Sequence, residues 1–347
     1  MAKLTRRDFL KSTALGVGAI TLGAVLDACG QALPTEIRST LTPLAATDLP
    51  PTSPPNPTNT LPAATESPPT PTNTPVIPPD LVVAHGGEPE ELVRRAIAAL
   101  GGMEKFVAKG ANVIVKPNIC VDYHTYEYAA TTNPWVVGTL VKMCFESGAA
   151  SVKVMDAPFG GTQKHAYEIS GIREQVEAAG GEMAYMLAYR YVETDFPKAV
   201  VMKKNGVYDD ILNADVLINV PIAKQHSSSR LTLGMKNLMG VVWNRSTLHM
   251  NLGQCIADLN SLIRPQLTIV DAIRILTANG PTGGSLGDVK KLDTIVASPD
   301  VVAVDSFAAT FFGLKPEDLA YIVAGTTMGL GRSDLVNMKI EQISLGA

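Results

Sequence analysis

Lysine, aspartate, asparagine and histidine recur in this sequence where apolar runs end. Val113-Ile114-Val115 leads into Lys116-Pro117-Asn118, and Val154-Met155 into Asp156. Val220-Pro221 opens a run carrying Lys224 and His226, and Ile269-Val270 ends in Asp271. Between Pro221 and Gly240 the polar groups are densest. Three serines, Arg230 and Thr232 precede Met235-Lys236-Asn237-Leu238-Met239-Gly240, which sets a lysine among apolar neighbours. Cations and hydroxyls ahead of a short helix make a receptor for an anion. Lys116, Asn118, Lys224, Lys236 and Asn237 are therefore the expected binding residues. His226, Asp271 and Asp156 are the expected acid–base groups, since imidazole and carboxylate can exchange protons near neutral pH. His249 and Asp305 are the expected ligands should the site hold a divalent metal, the first cofactor to test.

These residues converge only if the fold brings strand ends together. The apolar runs at 81–84, 112–116, 151–156, 216–220, 267–271 and 294–297 read as strands. Segments 90–100, 134–146, 163–179, 252–263 and 301–312 read as helices. Strands apolar throughout, such as Val216-Leu217-Ile218, are covered on both faces, the mark of a parallel sheet sandwiched by helices. The expected fold class is α/β: one main globular domain over 80–347, with a mostly parallel sheet and helices on both faces. Lys198–Tyr208, with Lys204-Asn205-Gly206 in its middle, reads as a hairpin elaboration. In such sheets ligands bind outside the carboxyl ends of the strands, so one crevice would collect Lys116, Asp156, Lys224, His226 and Asp271. The glycine-rich run Asn279–Gly284 lacks the Lys-Ser or Lys-Thr of a P-loop. It reads as a loop over that crevice.

Before the domain the sequence changes character. Arg6-Arg7-Asp8-Phe9-Leu10-Lys11 precedes an uncharged run to Leu26, which has the layout of a twin-arginine signal peptide. Leu26-Asp27-Ala28-Cys29 resembles a lipoprotein cleavage site, with Cys29 as the lipidated residue of a signal spanning 1–29. Residues 30–79 are dominated by Pro, Thr, Ser, Asn and Ala. They are expected to form a disordered stalk, because such composition buries too little apolar surface to offset the entropy of ordering. The expected location is extracytoplasmic, held to the cell membrane by the lipid, with the twin-arginine machinery as export partner. A net charge of −4 and the lack of a basic patch argue against a nucleic-acid partner. Of four cysteines, none forms a C-x-x-C pair, so no iron–sulfur cluster is expected from this chain.

The ordered set of motifs resembles the domain of unknown function 362 family. It comprises Val115–Asn118, Thr132-Asn133-Pro134, Asn219–His226, Met235–Gly240, Ile256–Asn260, Arg264-Pro265, Val270-Asp271, Asn279-Gly280-Pro281 and Ala303-Val304-Asp305. Many members of that family carry ferredoxin-like modules, for which this chain lacks the cysteine pairs. The family name implies no activity. Two readings stay open: an enzyme acting on an anionic small molecule, and a lipid-anchored solute-binding protein without catalysis. A solute-binding protein would close two lobes over its ligand, whereas the strands here read as one sheet.

Overall fold

The computed structural model describes residues 78–346. The signal, and all but the last two residues of the expected stalk, lie outside them. The chain enters on β1 (Leu81–His85), α1 (Pro89–Ala99) and β2 (Asn112–Pro117). There follow α2 (Pro134–Glu146), β3 (Ser151–Val154), α3 (Gln163–Ile169), α4 (Ile172–Ala178) and β4 (Glu182–Met183). The middle holds β5 (Tyr191–Asp195), β6 (Lys204–Tyr208), α5 (Asp209–Asn213) and β7 (Val216–Val220). Then come β8 (Ile222–His226), β9 (Arg230–Thr232), the short α6 (Gly234–Asn237) and α7 (Leu252–Leu262). The chain closes with β10 (Leu267–Leu276), β11 (Val289–Ser298), α8 (Val301–Ala309), α9 (Ala320–Thr327) and β12 (Ile340–Ser344).

A mixed, mostly parallel sheet runs β12-β1-β11-β10-β7-β2-β3-β4, and β8 branches from β10 to pair with β9. The antiparallel pairs within it are β1–β11, β10–β11 and β8–β9. Alternation along β1 shows how both faces are used. Leu81 and Val83 join one apolar cluster with Ile256 of α7 and Val302 of α8, while Val82 and Ala84 join another with Leu92 of α1 and Val136 of α2. Helices therefore cover both faces, as the unbroken apolar strands required. Among the described residues no helix is long and apolar enough to cross a membrane.

Three local expectations change. The helix read over 163–179 breaks at Ser170-Gly171, where the Ser170 hydroxyl accepts the Ile172 amide (3.3 Å) and starts a second helix. The hairpin is formed by β5 and β6, apart from the main sheet, with Lys204-Asn205-Gly206 inside a strand. Its chain reversal is residues 196–203. Buried Asp258 fixes that reversal, taking the amides of Val200, Val201 and Met202 at 2.7–2.8 Å. Burial pushes the Asp258 carboxyl upward. The amide hydrogen bonds more than offset this and hold its pKa below the usual range. A three-amide acceptor outweighs the turn preference of Asn-Gly. Finally, the polar run after Pro221, for which no strand was expected, contains the β8–β9 hairpin.

Candidate functional site

β2 and β7 lie side by side with Lys116 opposite Asn219. After Pro221 the chain leaves β7 as β8, which pairs with the outer part of β10 instead. This departure opens a cavity of about 420 Å³ beside the ends of β2 and β3. Side chains on β8 alternate, so Lys224 and His226 face the cavity with Thr232 of β9, the register partner of Lys224. The turn of α6 adds Lys236 and Asn237, and the segment behind it adds Met239 and Gly240. Lys116, Asn118, Cys120, Asp156, Arg245 and His249 add to the polar lining, beside Ser227, Ser228 and Ser246.

The lining cations differ in what they already hold. Lys116, 1% exposed, is held by three protein oxygens. Its Nζ is 2.9 Å from Asp156 Oδ1 and donates to Asn237 Oδ1 and the Pro117 carbonyl, both at 3.0 Å. Burial lowers its pKa, against the attraction of Asp156. Asp156 Oδ2 accepts the Ile119 amide at 2.7 Å, tying the chain after β2 to the end of β3. Lys224 donates to Asn118 Oδ1 (2.9 Å) and the Ala130 carbonyl (2.6 Å), which leaves one proton uncommitted. Arg245 spends one Nη on the carbonyls of Ala157 and Gly240. Lys236 is 9% exposed, and among the described residues its Nζ has no hydrogen-bond or ion-pair partner. Burial, then the charges of Lys224, Lys116 and Arg245, push its pKa down to about 7, against an opposing contribution from Cys120.

His226 Nδ1 accepts the Ser228 amide at 3.0 Å, so the neutral ring carries its proton on Nε2. Burial, then Lys236, Lys224 and His249, lowers its pKa to about 3. The ring is a neutral hydrogen-bond donor at physiological pH rather than a cation. Asn237 knits the floor. Its Oδ1 accepts from Asn118 Nδ2 (2.8 Å) as well as Lys116, and its Nδ2 donates to Asn219 Oδ1 (2.9 Å).

The structure thus brings together Lys116, Asn118, Asp156, Lys224, His226, Lys236, Asn237 and His249. Two expected members lie elsewhere. Asp271 is not part of the lining: its oxygens accept the amides of Asn133 (2.7 Å) and Ile273 (3.0 Å), so it braces the start of α2. Burial raises its pKa to about 6 against those hydrogen bonds. Asp305 is fully buried on α8 and accepts the amides of Gly234 and Met235 at 2.6 and 2.8 Å, so it anchors α6 from beneath. The pairing of His249 with Asp305 as metal ligands is therefore corrected. Among the described residues no three His, Cys, Asp or Glu side chains are grouped to hold a metal ion. Arg230, counted with the anion receptor, turns instead to Asp318 at 3.2 Å. The sequence reading missed Arg245 and Cys120. Arg245 sits in Trp243-Asn244-Arg245, a stretch without periodicity. Cys120 follows Asn118 by two residues, and that alternation was the available signal.

A thylakoid-associated protein of Synechocystis sp. is 28% identical over 248 residues, spanning 69% of this chain and 74% of that protein. Two solved structures are similar in part. They are the lactate racemase apoprotein from Thermoanaerobacterium thermosaccharolyticum (11% identity, TM-score 0.39) and a Thermotoga maritima protein (11% identity, TM-score 0.40). They align over 61% and 65% of this chain, which spans only 53% and 60% of theirs. Residues 113–310, more than half of the chain and nearly all of the cavity-forming elements, match the family described as Domain of unknown function (DUF362), and the protein belongs to that family.

Proposed function

We propose that the cavity is the ligand site of an enzyme acting on a small anionic molecule. The observation that carries this reading is the charge of the lining: Lys116, Lys224, Lys236 and Arg245 against the single carboxylate of Asp156. An anion restores balance in a desolvated site where like charges repel strongly. The contacts fall to the groups with donors to spare, namely Lys236, the remaining proton of Lys224, Arg245 and His226 Nε2–H. Lys116 is instead a positioning residue, holding Asp156 and Asn237. Support for chemistry, beyond capture, is that a lysine titrating near neutrality and a neutral histidine share one cavity.

Isothermal calorimetry of the full chain against phosphate, citrate, pyruvate and glyoxylate tests the reading. At least one should saturate the protein, and Lys236→Met should weaken it about tenfold to a hundredfold, the worth of a charge-assisted hydrogen bond. Heats absent for all four would sink the anion site.

We further propose that this domain works outside the cytoplasm, anchored through Cys29. The signal motif supports this, as does the thylakoid association of the Synechocystis relative. Cys29→Ala should move the protein from the membrane fraction to the soluble one, and lysines at Arg6 and Arg7 should stop export. Unchanged membrane association of the Cys29 variant would refute the anchor.

A further inference from the structure

Lys236 differs from every other cation of the cavity. Lys116 and Lys224 are held by two or three protein oxygens each, and Arg245 by two carbonyls. Lys236 has none of these among the described residues, although it is nine-tenths buried and set on a turn that fully buried Asp305 anchors at two amides. An amine that ends in the cavity without a protein acceptor holds no part of the fold together. In its charged form it also meets the anion, but a clamp alone would be served as well by a residue that always keeps its proton. A nucleophile, in contrast, needs a free lone pair, freedom from hydrogen bonds and a dry pocket.

We propose that Lys236 Nζ condenses with the carbonyl group of a small oxo acid to form an imine, while Lys224 and Arg245 hold the acid's carboxylate. This rests on the anion-site reading and names its substrate class. The amine lone pair forms the C–N bond as the carbonyl π pair moves to oxygen. A proton passes from nitrogen to that oxygen, and the resulting carbinolamine expels water to leave C=N. His226 Nε2–H, a neutral donor in the same cavity, suits the polarised oxygen of the first step. Lysines surrounded by cations and removed from water are the usual way to keep an amine unprotonated for this reaction. The titratable and charged groups that share the cavity with Lys236 are Lys116 from β2, Lys224 and His226 from β8, Cys120 and Asp156 from the neighbouring loops, and Arg245 and His249 from the segment after α6. Burial first, and then their cationic balance, lowers its pKa toward neutrality.

The test is reductive trapping on the full chain. Protein is incubated with pyruvate or glyoxylate and cyanoborohydride, then mapped by peptide mass spectrometry. Pyruvate should leave a carboxyethyl group on Lys236 in preference to every other lysine. Butanone, which has the carbonyl without the anion, should leave Lys236 unmodified. Labelling should rise with pH through about 7, where Lys236 loses its proton, rather than near the ordinary lysine value of about 10. Lys236→Arg and Lys236→Met should lose the adduct, with circular dichroism confirming that each is folded. Should either unfold, the site map and pH profile of the unaltered protein still decide. Labelling spread evenly over surface lysines, or absent from Lys236, overturns the imine. Calorimetric binding of pyruvate without labelling leaves the anion site intact and removes only the nucleophile. An adduct on Lys236 together with silent calorimetry for all four anions does the reverse.

Discussion

Replacing Asp156 with Ala while Lys116 stays in place is expected to lower the free energy of unfolding by about 3–5 kcal/mol, because it strands a buried ammonium. The pair is 1% and 4% exposed at its side chains and closes at 2.9 Å, so water cannot take over the lost partner. The same change removes the acceptor of the Ile119 amide. Lys116→Met should cost less, since Asp156 keeps that amide. Changing both residues together should cost less than the two single changes added, and urea denaturation of the four proteins measures that coupling. The Asp156→Ala protein should regain part of its stability at high pH. The sign follows from the direction of the shift. A lysine whose folded pKa is lowered releases its proton more readily in the fold, so the folded state gains as pH rises above that value and loses below it. Additive single effects of under about 1 kcal/mol each would show that the pair is solvated and does not organise the floor.

The sheet and most of its helices were legible because their signals are local. Val216–Val220 is apolar at every position except Asn219, which only a strand buried on both faces tolerates, and Asn133-Pro134 announces a helix start through cap and proline. The convergence of Lys116, Asp156, Lys224 and His226 was legible for the same reason, as four polar groups closing apolar runs. Asp271 obeyed the same pattern and went elsewhere. Its strand continues to Leu276 as part of a long antiparallel pair with β11, so Asp271 lies mid-strand rather than at an end. Asp305 was misplaced because a helix residue gives no sign of which neighbour's amides it meets. The difference between Lys116 and Lys236 was not legible at all. It depends on which oxygens lie within 3 Å of each Nζ, and Asn237, Asp156 and Pro117 reach only the first.

Gly280→Ala is the second change expected to have a large effect, and it acts through backbone rather than charge. A Cβ built at Gly280 would lie 1.8 Å from the carbonyl oxygen of Gln225, an overlap that no rotamer change relieves. Gln225 sits between Lys224 and His226 on β8, and its Oε1 accepts the Gly280 amide at 2.7 Å. Adding a methyl group must push the 279–284 loop outward or shift β8. The first breaks that hydrogen bond and withdraws Pro281 from the cavity wall, and the second displaces the two side chains that line it. Overpacking of this kind costs about 1–3 kcal/mol or more, a fall in melting temperature on the order of 2–6 °C for a domain of this size. Gly240→Ala makes an informative contrast. Its Cβ would meet Asp156 Oδ1 at 2.2 Å and Lys116 Nζ at 2.7 Å, which are the tips of side chains. Those tips can retreat, but only by parting the ion pair and releasing Lys116 toward the ligand. Both variants should therefore lower melting temperature and anion binding, Gly280→Ala through the loop and β8 and Gly240→Ala through the buried ion pair. Thermal melts and calorimetry on the two variants check this, and a Gly280→Ala protein with unchanged melting and unchanged binding would mean that the loop does not rest on β8.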